Sequence, residues 1–212
     1  MNRKEIKEKA KSLIKGNIWN ILWPMLVISV LQSLITRIFG GTVVIDYNNL
    51  ESAHMSTTAY FGTGLAYILA GIAYGGYYKY LLDFVRKGKF ETDTIINTIK
   101  EKWLQLLIAN ILAGIIIGVC CLLFVIPGVI MALAYTFVSF IVIDSKTEGK
   151  DSLTKSREMM KGYKWDYFVF ILSFIGWFIL APFTLFILFI WLLPYMMIAE
   201  VLYYEELKKI SK

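Results

Sequence analysis

Charge is scarce in this chain. Of its 212 residues 18% are charged and 58% hydrophobic, against roughly 25% charged in a typical soluble domain, and the mean hydropathy is +0.61. The deficit is concentrated in four runs without a single charged side chain: 16–36 (21 residues), 52–78 (27), 103–143 (41) and 167–199 (33). A soluble fold lacks the charged surface it needs here, whereas a bilayer demands such runs. A helix rising 1.5 Å per residue needs about 20 apolar residues to cross the hydrocarbon layer. The 41-residue run would be about 60 Å long as one helix, twice that thickness, so it reads as a hairpin. Together the runs offer one, one, two and two crossings.

Metal-binding and redox residues are equally rare. There is one histidine, His54, and the two cysteines, Cys120 and Cys121, are adjacent in an apolar helix. That excludes a Cys/His zinc pattern and a disulfide framework. No H-E-x-x-H, nucleotide-binding glycine loop or nucleophile elbow occurs. Asp46, Glu51 and His54 share one loop, but their spacing matches no catalytic or cation-binding motif, and an enzyme is not expected. No metal or cofactor is expected either.

What charge there is lies in order. Of 22 Lys and Arg, six fall in residues 1–16, six in 79–102, six in 146–164 and three in 208–212, leaving Arg37 alone. If these four segments face the cytoplasm, every uncharged block leaves and returns, both termini stay inside and the span number is even. The net charge of +6 then serves orientation and attraction to anionic headgroups, and nucleic acid is not an expected partner. No small-residue cleavage pattern follows the basic start, so the first span is expected to persist in the mature protein.

These patterns predict an all-α, polytopic membrane protein: six transmembrane helices in three hairpins, each preceded by a short amphipathic interfacial helix on the cytoplasmic side. The first interfacial helix covers 3–16, with Ile6, Ala10 and Leu13 on one face. Asp93 and Asp151 are expected to cap the other two, whose apolar residues include Ile95, Ile96 and Ile99, then Leu153 and Met159. Spans start near Trp19, Trp103 and Trp165, with turns at Ile126-Pro127-Gly128 and at Ala181-Pro182, and Pro24 and Pro194 lie within spans. A short strand is expected at 42–45. Gly71 with Gly75, and Gly114 with Gly118, are small-residue spacings that suit close helix packing.

Two junctions repeat in the same orientation. Ile14-Lys15-Gly16-Asn17-Ile18-Trp19 and Met160-Lys161-Gly162-Tyr163-Lys164-Trp165 share apolar-Lys-Gly-x-x-Trp, and Ile99-Lys100-Glu101-Lys102-Trp103 is a degraded copy. The expectation is one integral membrane domain over 1–212 built from parallel repeats at 1–86, 87–145 and 146–206. In this reading Lys15, Arg86, Lys87, Lys89, Lys161 and Lys164 meet lipid phosphates, Trp19, Trp103 and Trp165 fix depth, and Gly71, Gly75, Gly114, Gly118, Pro127, Gly128, Pro182 and Pro194 shape packing and turns.

The same residues carry a resemblance. Gly88 with its basic neighbours, Ile126-Pro127-Gly128, the stretch Asp151…Ser156-Arg157-Glu158-Met159-Met160-Lys161-Gly162…Trp165, Ser173-Phe174-Ile175-Gly176-Trp177 and Leu192-Leu193-Pro194-Tyr195 resemble a family of uncharacterised bacterial six-span integral membrane proteins. That family is distantly similar to the membrane domain attached to some glycerophosphodiester phosphodiesterases. The resemblance implies a multi-pass protein of the bacterial cell membrane with lipid-related work, and transfers no catalytic residue. The functional expectation is a noncatalytic module that organises anionic lipids, or a membrane protein partner, at the cytoplasmic face. Two alternatives stay open: a transporter or translocator of lipids or amphipathic solutes, and an envelope-stress or antimicrobial-peptide immunity protein. The oligomeric state is left open by the sequence.

Overall fold

A computed structural model describes residues 2–39, 43–44, 54–55, 57–145 and 147–211. Apart from turns and short connections these are helical, with one minimal antiparallel ladder, β1 (Val43–Val44) with β2 (His54–Met55), which pairs Val43 with Met55 and Val44 with His54. The expected strand at 42–45 is thus met by its two central residues. Asp46 and Glu51 lie outside the described residues.

α1 (Arg3–Ile14) opens where the Asn2 side chain accepts the Glu5 N–H at 3.3 Å, a standard way to satisfy an orphan first-turn donor. Its apolar residues at helical spacing, Ile6, Ala10 and Ile14, are buried against α10 (Phe189–Ile210). This corrects the expectation of a helix resting its apolar face in the headgroup layer: that face is part of the protein core.

α2 (Ile18–Phe39) contains Pro24, whose missing N–H frees the carbonyl of Asn20. The fold supplies a replacement donor, the Tyr80 hydroxyl, 2.8 Å from that oxygen, and the Tyr77 hydroxyl donates to the Ile21 carbonyl at 2.9 Å. Both tyrosines belong to α3 (Thr57–Lys87), so the end of α3 lies beside the start of α2 and the two form a hairpin.

α4 (Asp93–Leu123) is one helix of 31 residues. The separate middle interfacial helix is therefore absent: Trp103 sits inside α4, and Asp93 occupies its first turn behind the cap residue Thr92. The reason lies in the degraded junction, where Glu101 stands in place of glycine and nothing interrupts the helix. The chain turns at the extended residue Phe124, three residues before Pro127. Pro127 itself falls in the first turn of α5 (Val125–Tyr135), where its missing N–H costs nothing. Gly128 packs against Cys121 so closely that a Cβ would overlap the Cys121 Sγ.

α6 (Val138–Asp144) continues from α5. α7 (Gly149–Met159) carries Asp151 in its first turn rather than at its cap, which is Glu148. Its buried residues, Gly149, Ser152, Leu153 and Ser156, face α4, α5 and α6 instead of lipid. α8 (Lys164–Leu172) and α9 (Ile175–Leu180) follow, then a 3₁₀ turn at Pro182–Thr184 and two left-handed residues, Leu185 and Phe186, before α10. The reversal at Pro182 and the position of Pro194 inside α10 agree with expectation.

Among the described residues three helical stretches are long and apolar enough to cross a membrane: Ile18–Phe39, Asp93–Leu123 and Val125–Asp144. A fourth arises if the pair Gly149–Met159 and Lys164–Leu180, bent by 85°, counts as one. Six were expected. The difference has physical causes: α8–α9 is broken near Ser173, the uncharged part of α3 is diluted by tyrosine and glycine, and α10 ends in charged turns. The surface is compatible with lipid. Aromatic residues such as Tyr77, Phe137, Phe140 and Tyr203 form a buried core, whereas Leu122 and Phe183, at the two apolar turns, are 88% and 83% exposed.

Candidate functional site

Contacts between the charged segments gather them at one end of the molecule. Arg86, in the last turn of α3, meets Asp144 at the end of α6 through two hydrogen bonds, the longer at 2.9 Å, and Glu205 of α10 through its Nε at 2.9 Å. Asp144, with only 5% of its side chain exposed, also accepts from the Tyr204 hydroxyl at 3.0 Å and from Lys208. Two cations and two carboxylates close into a neutral network with the forked geometry that favours Arg over Lys. The hydrogen bonds to Asp144, set against the cost of burial and helped by Glu205, strengthen the guanidinium's hold on its proton.

Further contacts extend the cluster. Lys102 donates to the Ser145 carbonyl at 3.0 Å and Lys155 to the Thr147 hydroxyl at 2.7 Å. Arg3 of α1 pairs with Asp166 of α8 at 3.3 Å, and Asp166 also accepts from Tyr203 at 3.0 Å. Burial first, then neighbouring Lys11 and Arg3, lowers the pKa of Lys7, which sits over the Phe174 ring. Beside the network is a cavity of about 430 Å³ lined in part by Asp144, Ser145, Lys155, Glu158, Lys161 and Lys208. A second concavity shares Glu158 and Lys161 and adds Thr154, Arg157 and Lys164.

The two Lys-Gly-x-x-Trp junctions are built alike. Gly16 and Gly162 adopt left-handed φ of 83° and 86°, a conformation that closes a helix and is open to glycine. In each case the next N–H bonds the carbonyl three residues back: Asn17 to Ile14 at 2.9 Å and Tyr163 to Met160 at 3.1 Å. Burial also matches, with Ile14, Ala10 and Ile6 corresponding to Met160, Ser156 and Ser152. Trp19 and Trp165 project outward, 69% and 73% exposed.

The family model for "Protein of unknown function (DUF975)" matches residues 1–134 and 115–211. The chain belongs to that family. The matched stretches include both junctions and overlap across the end of α4 and most of α5. No curated protein and no solved structure matches the chain.

Within this family member the expected headgroup residues have divided roles. Lys15, Lys89 and Lys161 are exposed, and Lys164 is half-buried beside the second concavity. Lys87 lies 3.7 Å from Asp83. Arg86 is engaged by Asp144 and Glu205, which gives it a structural task inside the network. Trp103 is exposed on the side of α4.

The expected packing glycines divide too. A Cβ at Gly71 would lie 3.2 Å from the Asn110 amide, and one at Gly75 would strike Leu106 at 2.5 Å, so both allow α3 to approach α4. Among the described residues nothing lies within 4 Å of a Cβ built at Gly114 or Gly118, so no helix approaches α4 closely at these two positions. Gly76 and Gly149, unmarked by the sequence reading, make their closest approaches to backbone: a Cβ would lie 2.7 Å from the Ile95 carbonyl oxygen at the first and closer still to that of Gln105 at the second. Small-residue spacing identifies a smooth helix face but not whether a neighbour covers it. The Arg86–Asp144–Glu205–Lys208 network was also missed; its signal was a set of opposite charges at the ends of uncharged runs.

Proposed function

We propose that this chain is a noncatalytic multi-pass protein of the bacterial cell membrane that holds anionic lipids, or a partner protein, at its cytoplasmic face. The observation that carries the reading is the gathering of the basic segments at one end, around a network that is already neutral. Arg86 and Lys208 are balanced by Asp144 and Glu205, while Lys15, Lys89 and Lys161 stay exposed at the same end. Each such lysine is worth about 1 kcal/mol beside an anionic surface. The outward Trp19 and Trp165 suit the depth at which indoles anchor.

In this reading the spans number six, in three hairpins formed by α2 with α3, α4 with α5–α6, and α8–α9 with α10, and both termini are cytoplasmic. The matched junction geometry at Gly16 and Gly162 supports parallel repeats at 1–86, 87–145 and 146–206. The distant resemblance of the family to the membrane domain of some glycerophosphodiester phosphodiesterases, expected from the sequence, fits a lipid partner. The test is native mass spectrometry of the protein gently extracted from bacterial membranes. A reproducible complement of anionic phospholipid, enriched over zwitterionic lipid, is expected. Retention in proportion to bulk membrane composition, with no retained protein, overturns the proposal.

A further inference from the structure

The third hairpin differs from the first two in how its limbs meet. α2 packs along α3, and α4 along α5, but α8–α9 and α10 are held apart and bridged by rings. Phe170 meets Tyr203 at 5.0 Å between centroids, Phe174 meets Tyr195 at 5.2 Å, and Trp177 meets Trp191 at 5.6 Å. Between the limbs is a cavity of about 210 Å³ lined in part by Phe170, Phe174, Phe178, Met196, Met197 and Glu200.

Glu200 is the unusual member of that lining. It precedes Lys208 by eight residues, which places it about 12 Å along α10 from the ion-pair level, toward the apolar end. The residue is half-buried and borders the cavity. One oxygen accepts a 3.3 Å hydrogen bond from the Tyr167 hydroxyl, and among the described residues no cation pairs with it. The neighbouring carboxylates are answered: Asp166 by Arg3, and Glu205 by Arg86. An acid left in apolar surroundings is costly and marks a ligand pathway or site more often than a structural strut.

The ring wall already accepts ammonium groups. Lys7 Nζ stands 4.6 Å from the centroid of Phe174, and Lys11 Nζ 5.9 Å from that of Tyr195, both within cation–π range. One aromatic cluster therefore receives two cations from α1, while the cavity beside it presents a carboxylate without one.

We infer that the cavity between α8–α9 and α10 binds an amphiphile with a primary ammonium head and an apolar tail. Glu200 is the counter-ion, Tyr167 holds its carboxylate in place, and Phe170 and Phe174 face the head and first carbons. Met196 and Met197, unbranched and adaptable, accommodate the tail. This site takes a ligand of opposite charge to the one proposed at the basic end, and its fate is independent of that proposal. A phosphate head would be repelled by Glu200, and an alcohol would forgo the ion pair.

The experiment counts adducts by native mass spectrometry on the full chain in a non-ionic detergent, with dodecylamine, dodecanol and butylamine as probes. The wild type is expected to hold one dodecylamine, with at least tenfold lower occupancy by dodecanol and by butylamine at equal concentration. Glu200→Gln, nearly the same shape, is expected to lower dodecylamine occupancy at least tenfold, and Tyr167→Phe by about threefold. Equal retention of dodecylamine and dodecanol by the wild type overturns the inference without recourse to any variant. So does undiminished dodecylamine retention by a folded Glu200→Gln protein. Butylamine binding as well as dodecylamine would refute the tail contact and with it the amphiphile.

Discussion

Asp144 accepts from Arg86, Tyr204 and Lys208 while its side chain is almost wholly buried, so removing its charge weakens three hydrogen bonds at once. Breaking a buried ion pair from one side costs roughly 3–5 kcal/mol. Here Arg86 and Lys208 are about a third exposed, and solvent recovers part of that. Asp144→Asn should therefore destabilise the folded protein by about 2 kcal/mol in detergent-based unfolding. Glu206→Gln, which removes an exposed pair with Lys209, should change stability by less than about 0.5 kcal/mol. Equal effects would show that the network is not the fastener described. Pro24 leaves the Asn20 carbonyl without its helical donor. If Tyr80 stands in for the missing N–H at the Asn20 carbonyl, Tyr80→Phe should cost about 1 kcal/mol. The cost should shrink in a Pro24→Ala background, where the restored backbone N–H can donate to that oxygen itself; a double-mutant cycle measures the coupling, and zero coupling would contradict the account.

At the scale of elements, the two junctions were readable in advance because a single residue type, glycine, decides them. Gly16 and Gly162 need positive φ and have open space where a Cβ would go, so Gly16→Ala and Gly162→Ala should each cost about 1 kcal/mol through the backbone alone. Gly118→Ala, on an uncovered helix face, should be neutral or stabilising by up to about 1 kcal/mol. Gly75→Ala must displace Leu106 and should destabilise. Thermal unfolding of the four variants checks the order, and a destabilising Gly118→Ala would mean that α4 has a neighbour there. Other elements were less readable. Capping signals at Asp93 and Asp151 mark a helix start within two residues, but they say nothing of whether the helix later stops. Hence the continuity of α4 through Trp103 was missed, since it follows from Glu101 standing where the other junctions have glycine. The apolar face of α1 was read correctly as a face, whereas its cover, α10, comes from the opposite end of the sequence and leaves no local trace.

Across the whole molecule, charge order along the sequence led to the expectation that the four basic segments share one side of a membrane, and in the structure residues of all four come together at one end. Which lysines would be spent within the protein was not readable. Arg86 and Lys208 are paired by carboxylates distant in sequence, and Lys102 and Lys155 by a carbonyl and a hydroxyl. Among the described residues, exposed Lys15 and Lys161 and half-buried Lys164 have no ion pair, and they stand at matching junctions near two outward tryptophans. The central claim, that these spare cations hold anionic lipid, is tested most directly by comparing the wild type with the combined variant Lys15→Gln, Lys161→Gln, Lys164→Gln, purified identically and examined for bound phospholipid by native mass spectrometry. At about 1 kcal/mol for each lysine, occupancy by anionic lipid should fall about fivefold per substitution, with zwitterionic lipid unaffected. Anionic lipid retained by the triple variant at the wild-type level would contradict the claim.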